Sequence, residues 1–289
     1  MKIETVFVIG AGAMGAGIAQ AAAEAGCRVY LNDLTAERVL KGVSGIVKSL
    51  DRMVAKGKMT PELKDAVLSR ISVSDSYEAV GQVDLVLEAI YENLDAKRGI
   101  FKEIGGLARP DAILASNTSS LSLTAIAAVV PQPERFIGLH FFNPVPVMRL
   151  LELVVGLQTS QETIAAGLAF GSLLNKETIV AKDSPGFIVN RALNMMLNEA
   201  VFLYQEGVGS AEDIDKGMML GCNHPMGPLT LIDLVGVDIV CAVLEAFCRD
   251  FADSKYRPAP LLRQMVAANR LGIKTGRGFY AYDSSGKKL

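Results

Sequence analysis

His140 and Glu152 are the residues whose types and spacing most directly suggest chemistry. His140 follows the apolar run Phe136–Leu139, and Glu152 lies within a second apolar run, Leu150–Val155. Between them a loop with two prolines, Pro144 and Pro146, can return the chain and lay the runs side by side. A carboxylate that accepts from one imidazole nitrogen fixes the tautomer and leaves the other nitrogen as a base near neutral pH. The chain has two histidines, so proton transfer has few candidates. The competing reading is a hairpin whose histidine satisfies a polar group of the core, and spacing alone leaves both open.

The elements that would position this pair begin at the N-terminus. Ile3–Ile9 is β-branched and apolar and runs into Gly10-Ala11-Gly12-Ala13-Met14-Gly15. Ala16–Ala25 reads as helix, Gly26 closes it, and Arg28–Leu31 reads as a second strand ending at Asp33. A glycine pattern between strand and helix, with an acidic residue about 20 positions on, is a dinucleotide-binding arrangement. Gly10 permits the tight turn, Gly12 lets backbone approach a pyrophosphate, and Gly15 lets the helix pack on the strand. The helix N-terminus favours an anion. Asp33 accepts from ribose hydroxyls and repels a 2′-phosphate, which selects NAD over NADP.

Thr35 to Lys56 has a helical pattern with Lys41, Lys48, Arg52 and Lys56 on one face. Such a stripe is either a solvated surface or a clamp for phosphates. Thr60-Pro61 starts a short helix to about Arg70. Ile71–Val73, Val83–Glu88 and Ala112–Ala115 read as strands, with a helix at Asp95–Leu107 between the last two. The hydroxyl and amide cluster Ser116-Asn117-Thr118-Ser119-Ser120 then falls at a strand's carboxyl end, where doubly wound sheets bind ligands. Ser119 either contacts a ligand or caps the next helix. Thr159 with Glu162 reads as a capping box for a helix over Glu162–Leu174, and Thr178–Ala181 as the last strand. The alternation predicts an α/β fold, one open, doubly wound, mostly parallel sheet, over residues 1–183.

From Asp183-Ser184-Pro185-Gly186 onward the pattern is helical: Phe187–Gln205, Ala211–Leu220, Val235–Phe251 and Pro260–Ala268. Residues 184–289 therefore read as a second, all-helical domain, whose apolar helices can also form a dimer surface. Asn190 lies within the first of these helices and either hydrogen-bonds internally or reaches toward a cleft. His224, between two Gly/Pro turns without an acidic neighbour, reads as a structural loop residue.

Composition bounds the function. The 289 residues are 50% hydrophobic and 21% charged with 27 glycines, which fits a folded α/β protein. A net charge of −2 offers no general attraction to nucleic acid or an anionic membrane. Four cysteines without CxxC spacing point to reduced thiols and the cytoplasm. The early first strand leaves no room for a signal peptide, and no apolar run approaches the roughly 18 residues of a membrane span.

Six segments in order resemble the 3-hydroxyacyl-CoA dehydrogenase family, in its bacterial 3-hydroxybutyryl-CoA dehydrogenase form. They are the glycine loop, Ala115–Ser120, Gly138–Pro144, Pro185–Arg191, Asn223–Pro228 and Lys274–Tyr280, and the resemblance spans about residues 3–282. It implies a Rossmann-like first domain and NAD as cofactor. It also implies reversible oxidation of an (S)-3-hydroxyacyl-CoA, short-chain fatty acid (butanoate) metabolism and a homodimer. The family's catalytic dyad falls on His140 and Glu152, and its substrate-contacting serine and asparagine fall on Ser119 and Asn190. Its cofactor contacts fall on Gly10, Gly12, Ala13, Met14, Gly15, Asp33, Glu92, Lys97, Ser119, Asn143 and Lys274. Its coenzyme A contacts fall on Arg52 and Lys56, the first of which is more often lysine in the family. Two other readings are a relative acting on a free hydroxy acid, of the gulonate type, and a non-enzymatic NAD-binding relative.

Overall fold

Five consecutive buried residues form β1 (Thr5–Ile9), as expected of a strand covered on both faces. The chain continues through α1 (Ala13–Glu24), β2 (Arg28–Asn32), α2 (Ala36–Ala55), α3 (Pro61–Leu68) and β3 (Ile71–Ser74). β4 (Leu85–Glu88), α4 (Leu94–Gly105), β5 (Ile113–Ser116), α5 (Leu123–Ala127) and β6 (Phe136–Phe141) follow. β7 (Leu150–Val155), α6 (Gln161–Leu173) and β8 (Glu177–Lys182) complete one sheet of order β3-β2-β1-β4-β5-β6-β7-β8. Every neighbouring pair is parallel except β6–β7, which is antiparallel. Val6 and Val8 enter the core that also holds Ile18, Ala22, Ile46 and Leu50, from α1 and α2. Phe7 alternates away from that core and is equally buried against Tyr30 and Tyr77. This is the Rossmann-like, doubly wound sheet.

The computed structural model describes residues 2–289, which divide into two units, residues 2–184 and Pro185–Leu289. The second unit is helical: α7 (Val189–Gln205), α8 (Ala211–Gly221), α9 (Pro228–Val235), α10 (Val237–Phe251) and α11 (Pro260–Ala267). Its own core includes Leu197, Val201, Leu229, Ile232, Val240, Leu244 and Leu262.

Several boundaries differ from the sequence reading, each for a local reason. α1 starts at Ala13, because Gly12 already occupies the N-cap position. α6 is capped by the Ser160 hydroxyl, which accepts from the Thr163 amide. The Thr159 hydroxyl instead donates to the Phe136 carbonyl, so the predicted Thr159–Glu162 capping box is not formed. α7 begins at Val189, which moves Asn190 into its first turn. The helix read as Val235–Phe251 starts at Val237, because Gly236, whose φ of 115° only glycine adopts readily, separates it from α9, which the sequence reading did not include.

Candidate active site

The sheet places the candidate residues by topology before any side chain is considered. β1, β4, β5 and β6 are adjacent and parallel, so their carboxyl ends line one edge. At that edge lie the glycine loop after β1, Glu88 and Glu92 after β4, Ser116–Ser120 after β5, and His140 in β6. A ligand crevice is expected outside this edge, where the strand order reverses.

β7 then runs back beside β6, and the register pairs His140 directly with Glu152. Residues opposite one another in antiparallel strands put their side chains on the same face, with Cβ atoms about 4.5–5.5 Å apart. The result is a contact of 2.9 Å between His140 Nδ1 and Glu152 Oε2. Glu152 is fully buried and His140 is 5% exposed, so the pair is shielded from water. The Phe142 ring lies 4.5 Å from the imidazole, centroid to centroid. The amide of Phe141 donates to Asn117 Oδ1 at 2.8 Å, tying the end of β6 to the turn after β5. With Nδ1 engaged by the carboxylate, proton exchange at this imidazole would fall to Nε2.

The hydroxyl turn is built around Glu92. Its Oε1 accepts from the Thr118 hydroxyl at 2.6 Å, the Ser119 amide at 2.8 Å and the Ser119 hydroxyl at 3.2 Å. Burial pushes the Glu92 carboxyl up, but Lys97 and the donors from Thr118 and Ser119 outweigh it and hold it below its ordinary value. Lys97 stands behind Glu92, with a side chain 1% exposed. Its ammonium lies 2.7 Å from Glu88 and 3.4 Å from Glu92. Lys97 is the counter-charge that holds two carboxylates at the strand ends. Glu88 is the residue the sequence reading missed: Oε1 accepts from the Ile90 amide and Lys97, and Oε2 from Ser116. An acid at the last position of an apolar strand was the available signal.

The glycine loop fits a dinucleotide. A Cβ on Gly10 would lie 2.6 Å from the Ala89 carbonyl oxygen, and one on Gly15 would lie 1.7 Å from the Gly10 oxygen. A Cβ on Gly12 would meet nothing within 4 Å. Gly10 and Gly15 are thus required by packing, whereas Gly12 opens on space that a pyrophosphate can enter. Gly12 and Ala13 are exposed and Met14 half-buried. Gly12 caps α1 without a side chain, so the first-turn amides face that space. Asp33 accepts from the Ala11 amide at 2.8 Å and the Leu34 amide at 2.7 Å, with Arg38 at 3.6 Å. It therefore braces the loop and borders the groove formed with Gly12, Tyr77, Ile90 and Tyr91.

α2 packs Gly42 against Ala11 and buries Val39, Ile46 and Leu50. Lys41, Lys48 and Arg52 occupy the exposed face, and Lys56 is the residue at the C-cap. Among the described residues none of these four has an ion-pair partner. Asn143 is exposed in the loop between β6 and β7. Two candidates belong to the helical unit. Asn190 is half-buried in the first turn of α7, where its carbonyl accepts from the Asn194 side-chain Nδ2. Lys274 pairs with Asp238 at 2.5 Å.

A dinucleotide groove beside a shielded histidine–carboxylate pair defines a nicotinamide-dependent oxidoreductase equipped for proton transfer. The chain matches the models of the 3-hydroxyacyl-CoA dehydrogenase NAD binding domain over residues 5–184 and of its C-terminal domain over residues 186–282. A 3-hydroxybutyryl-CoA dehydrogenase of Bradyrhizobium diazoefficiens is 48% identical, over 97% of this chain and 96% of its own. The human mitochondrial hydroxyacyl-coenzyme A dehydrogenase is 46% identical, over 97% of this chain and 91% of its own. The crystal structure of an (S)-3-hydroxybutyryl-CoA dehydrogenase from Ralstonia eutropha superposes with a TM-score of 0.96 at 52% identity, covering 98% of this chain and 100% of that one. The chain belongs to the 3-hydroxyacyl-CoA dehydrogenase family.

Proposed function

We propose that the protein is an NAD-dependent (S)-3-hydroxyacyl-CoA dehydrogenase of the short-chain type, interconverting (S)-3-hydroxybutyryl-CoA and acetoacetyl-CoA. The observation that carries this is the direct pairing of His140 with Glu152 at the edge that holds the glycine loop. Bound NAD supplies the hydride acceptor. His140 Nε2 takes the proton of the 3-hydroxyl in oxidation and returns it to the 3-oxygen in reduction. Glu152 holds the ring in the required tautomer and favours the imidazolium that forms.

Ser119 hydrogen-bonds the 3-oxygen, and Asn190 meets the acyl group. Gly12, Ala13 and the α1 amides receive the pyrophosphate, and Asp33 the adenosine ribose. Glu92, Asn143 and Lys274 complete the cofactor contacts. Arg52 and Lys56 meet coenzyme A phosphates, a use supported by the absence of ion-pair partners on that stripe among the described residues. A free hydroxy acid has no need of such a stripe, and that disfavours a gulonate-type substrate. The protein acts as a cytoplasmic homodimer through apolar residues of its helical unit, where Leu220, Leu234, Val235 and Ile239 are exposed. No described helix is long and apolar enough to cross a membrane.

The test is His140→Gln, assayed with acetoacetyl-CoA and NADH. The variant is expected to bind NADH normally and to lose most of its turnover. Near-normal turnover overturns the assignment of the base.

A further inference from the structure

α6 ends in a helix stop that determines where the next side chain points. Asn175 adopts the left-handed conformation, with φ of 54°. Its amide donates to the Ser172 carbonyl, and the amide of Lys176 donates to the Gly171 carbonyl at 2.9 Å. These two bonds are the Schellman arrangement. Gly171 also has to be small, because a Cβ there would lie 2.3 Å from Thr178 Cγ2.

The stop delivers Lys176 to the loop between the two dyad residues. Its ammonium donates to the Val145 carbonyl at 2.6 Å and to the Met148 carbonyl at 2.7 Å. Burial pushes this ammonium below its ordinary value against the opposing pull of Glu24. The same loop is also held by the glycine-loop helix. Val145 is 1% exposed, and a Cβ on Gly17 of α1 would lie 2.9 Å from Val145 Cβ. At the loop's end the Arg149 carbonyl accepts from the Glu177 amide at 2.8 Å, which starts the β7–β8 ladder. Asn143 to Arg149 is thus held between α1 and the end of α6, with His140 three residues before it and Glu152 three residues after it.

We infer that Lys176 is a positioning residue for the reaction: its ammonium clamps the loop joining His140 to Glu152 and seats that loop on the helix that begins the dinucleotide site. The inference rests on the dyad assignment. Both strands of the hairpin enter this loop, so movement of the loop displaces Asn143 and the imidazole against the glycine loop. Among the described residues no other cationic side chain donates to either clamped carbonyl. A side chain that touches neither substrate nor cofactor then acts on kcat through geometry.

Lys176→Met removes the donors and keeps the length of the stem. It is expected to lower kcat about 10- to 100-fold, the scale of a misplacement of about an ångström, and to raise KM for NADH, while KM for acetoacetyl-CoA and the thermal midpoint stay close to the parent. Lys176→Arg, which can donate to both carbonyls, is expected to restore most of the rate. Faster amide exchange at Val147 and Met148 in the methionine variant reports release of the loop. Should the methionine variant be insoluble, Lys176→Gln is measured in its place with the same criteria. His140→Gln is assayed in parallel. An inactive His140→Gln beside a Lys176 variant with parental kcat and KM overturns this inference alone. An active His140→Gln overturns the dyad and the inference with it.

Discussion

Glu152→Gln isolates what the carboxylate contributes beyond shape. The substitution keeps the size of a fully buried side chain and preserves a polar atom 2.9 Å from His140 Nδ1, but removes the charge. A hydrogen bond to a charged group contributes about 1.5–3 kcal/mol and a neutral one about 0.5–1.5 kcal/mol. The carboxylate's advantage is therefore about 1–2 kcal/mol, and it is felt when the imidazole becomes a cation. At about 1.4 kcal/mol per decade this is about a 5- to 30-fold loss in kcat. If the new amide turns its NH2 toward Nδ1, the tautomer is inverted and the loss deepens. Glu152 is fully buried and meets the imidazole at its Nδ1 edge, so KM for NADH and for acetoacetyl-CoA should be unchanged. The assay is steady-state NADH oxidation with acetoacetyl-CoA, with urea unfolding as the control for stability. A variant whose kcat stays within about twofold of the parent would refute the role of the carboxylate.

Three further outcomes follow from the geometry. Gly12→Ala, whose Cβ enters open space, should leave the unfolding midpoint intact yet weaken NADH binding about tenfold or more, whereas Gly15→Ala, whose Cβ would meet the Gly10 carbonyl at 1.7 Å, should lower the midpoint as well; fluorescence titration and thermal melting separate the two. Lys97→Met leaves Glu88 buried without its counter-charge and should cost about 3–5 kcal/mol in urea unfolding, and Glu88→Gln added to it should recover part of that; a loss under about 1 kcal/mol contradicts the pairing. Glu92 is held below its ordinary value of 4.5, so the stability it contributes is complete above 4.5 and is lost as pH falls through its lowered folded value. Glu92→Gln should flatten the acid limb of the melting temperature as pH falls below 4.5, and an unchanged limb would contradict this.

What could be read from the chain was whatever local pattern encodes. The alternation of strands and helices, the glycine loop, and the Thr60-Pro61 helix start, where the Thr60 hydroxyl accepts from the Leu63 amide, are all local signals. What escaped depends on partners distant in sequence. α9 starts at Pro228 because the Asp215 carboxylate, from α8, accepts from the Leu229 and Thr230 amides. Read locally, Gly227-Pro228 is only a turn. α5, expected only as a helix after the hydroxyl cluster, has a local cap in the Ser122 hydroxyl but is also held by Asp183, some 60 residues on, which accepts from the Leu123 and Thr124 amides at its start. The Glu88–Lys97 pair was hidden too, since burial of both charges appears only when β4 and α4 are packed together.

The spacing of His140 and Glu152 could suggest a contact but not its geometry, and the missing part is the direction of β7. Had β7 continued the parallel pattern, the crossover would have required a dozen or more residues and placed any carboxylate by a different register. Reversal through the short loop lets a single hydrogen-bonded ladder set the pairing. A slip of one residue would turn Glu152 to the opposite face, because strand side chains alternate with period two. Register is strongly specified here, since Leu151 and Leu153 flank Glu152 and are themselves fully buried on the core side. The hydrophobic pattern of β7 therefore shapes the candidate site at a distance: by fixing which residues face the core, it fixes which one faces the imidazole.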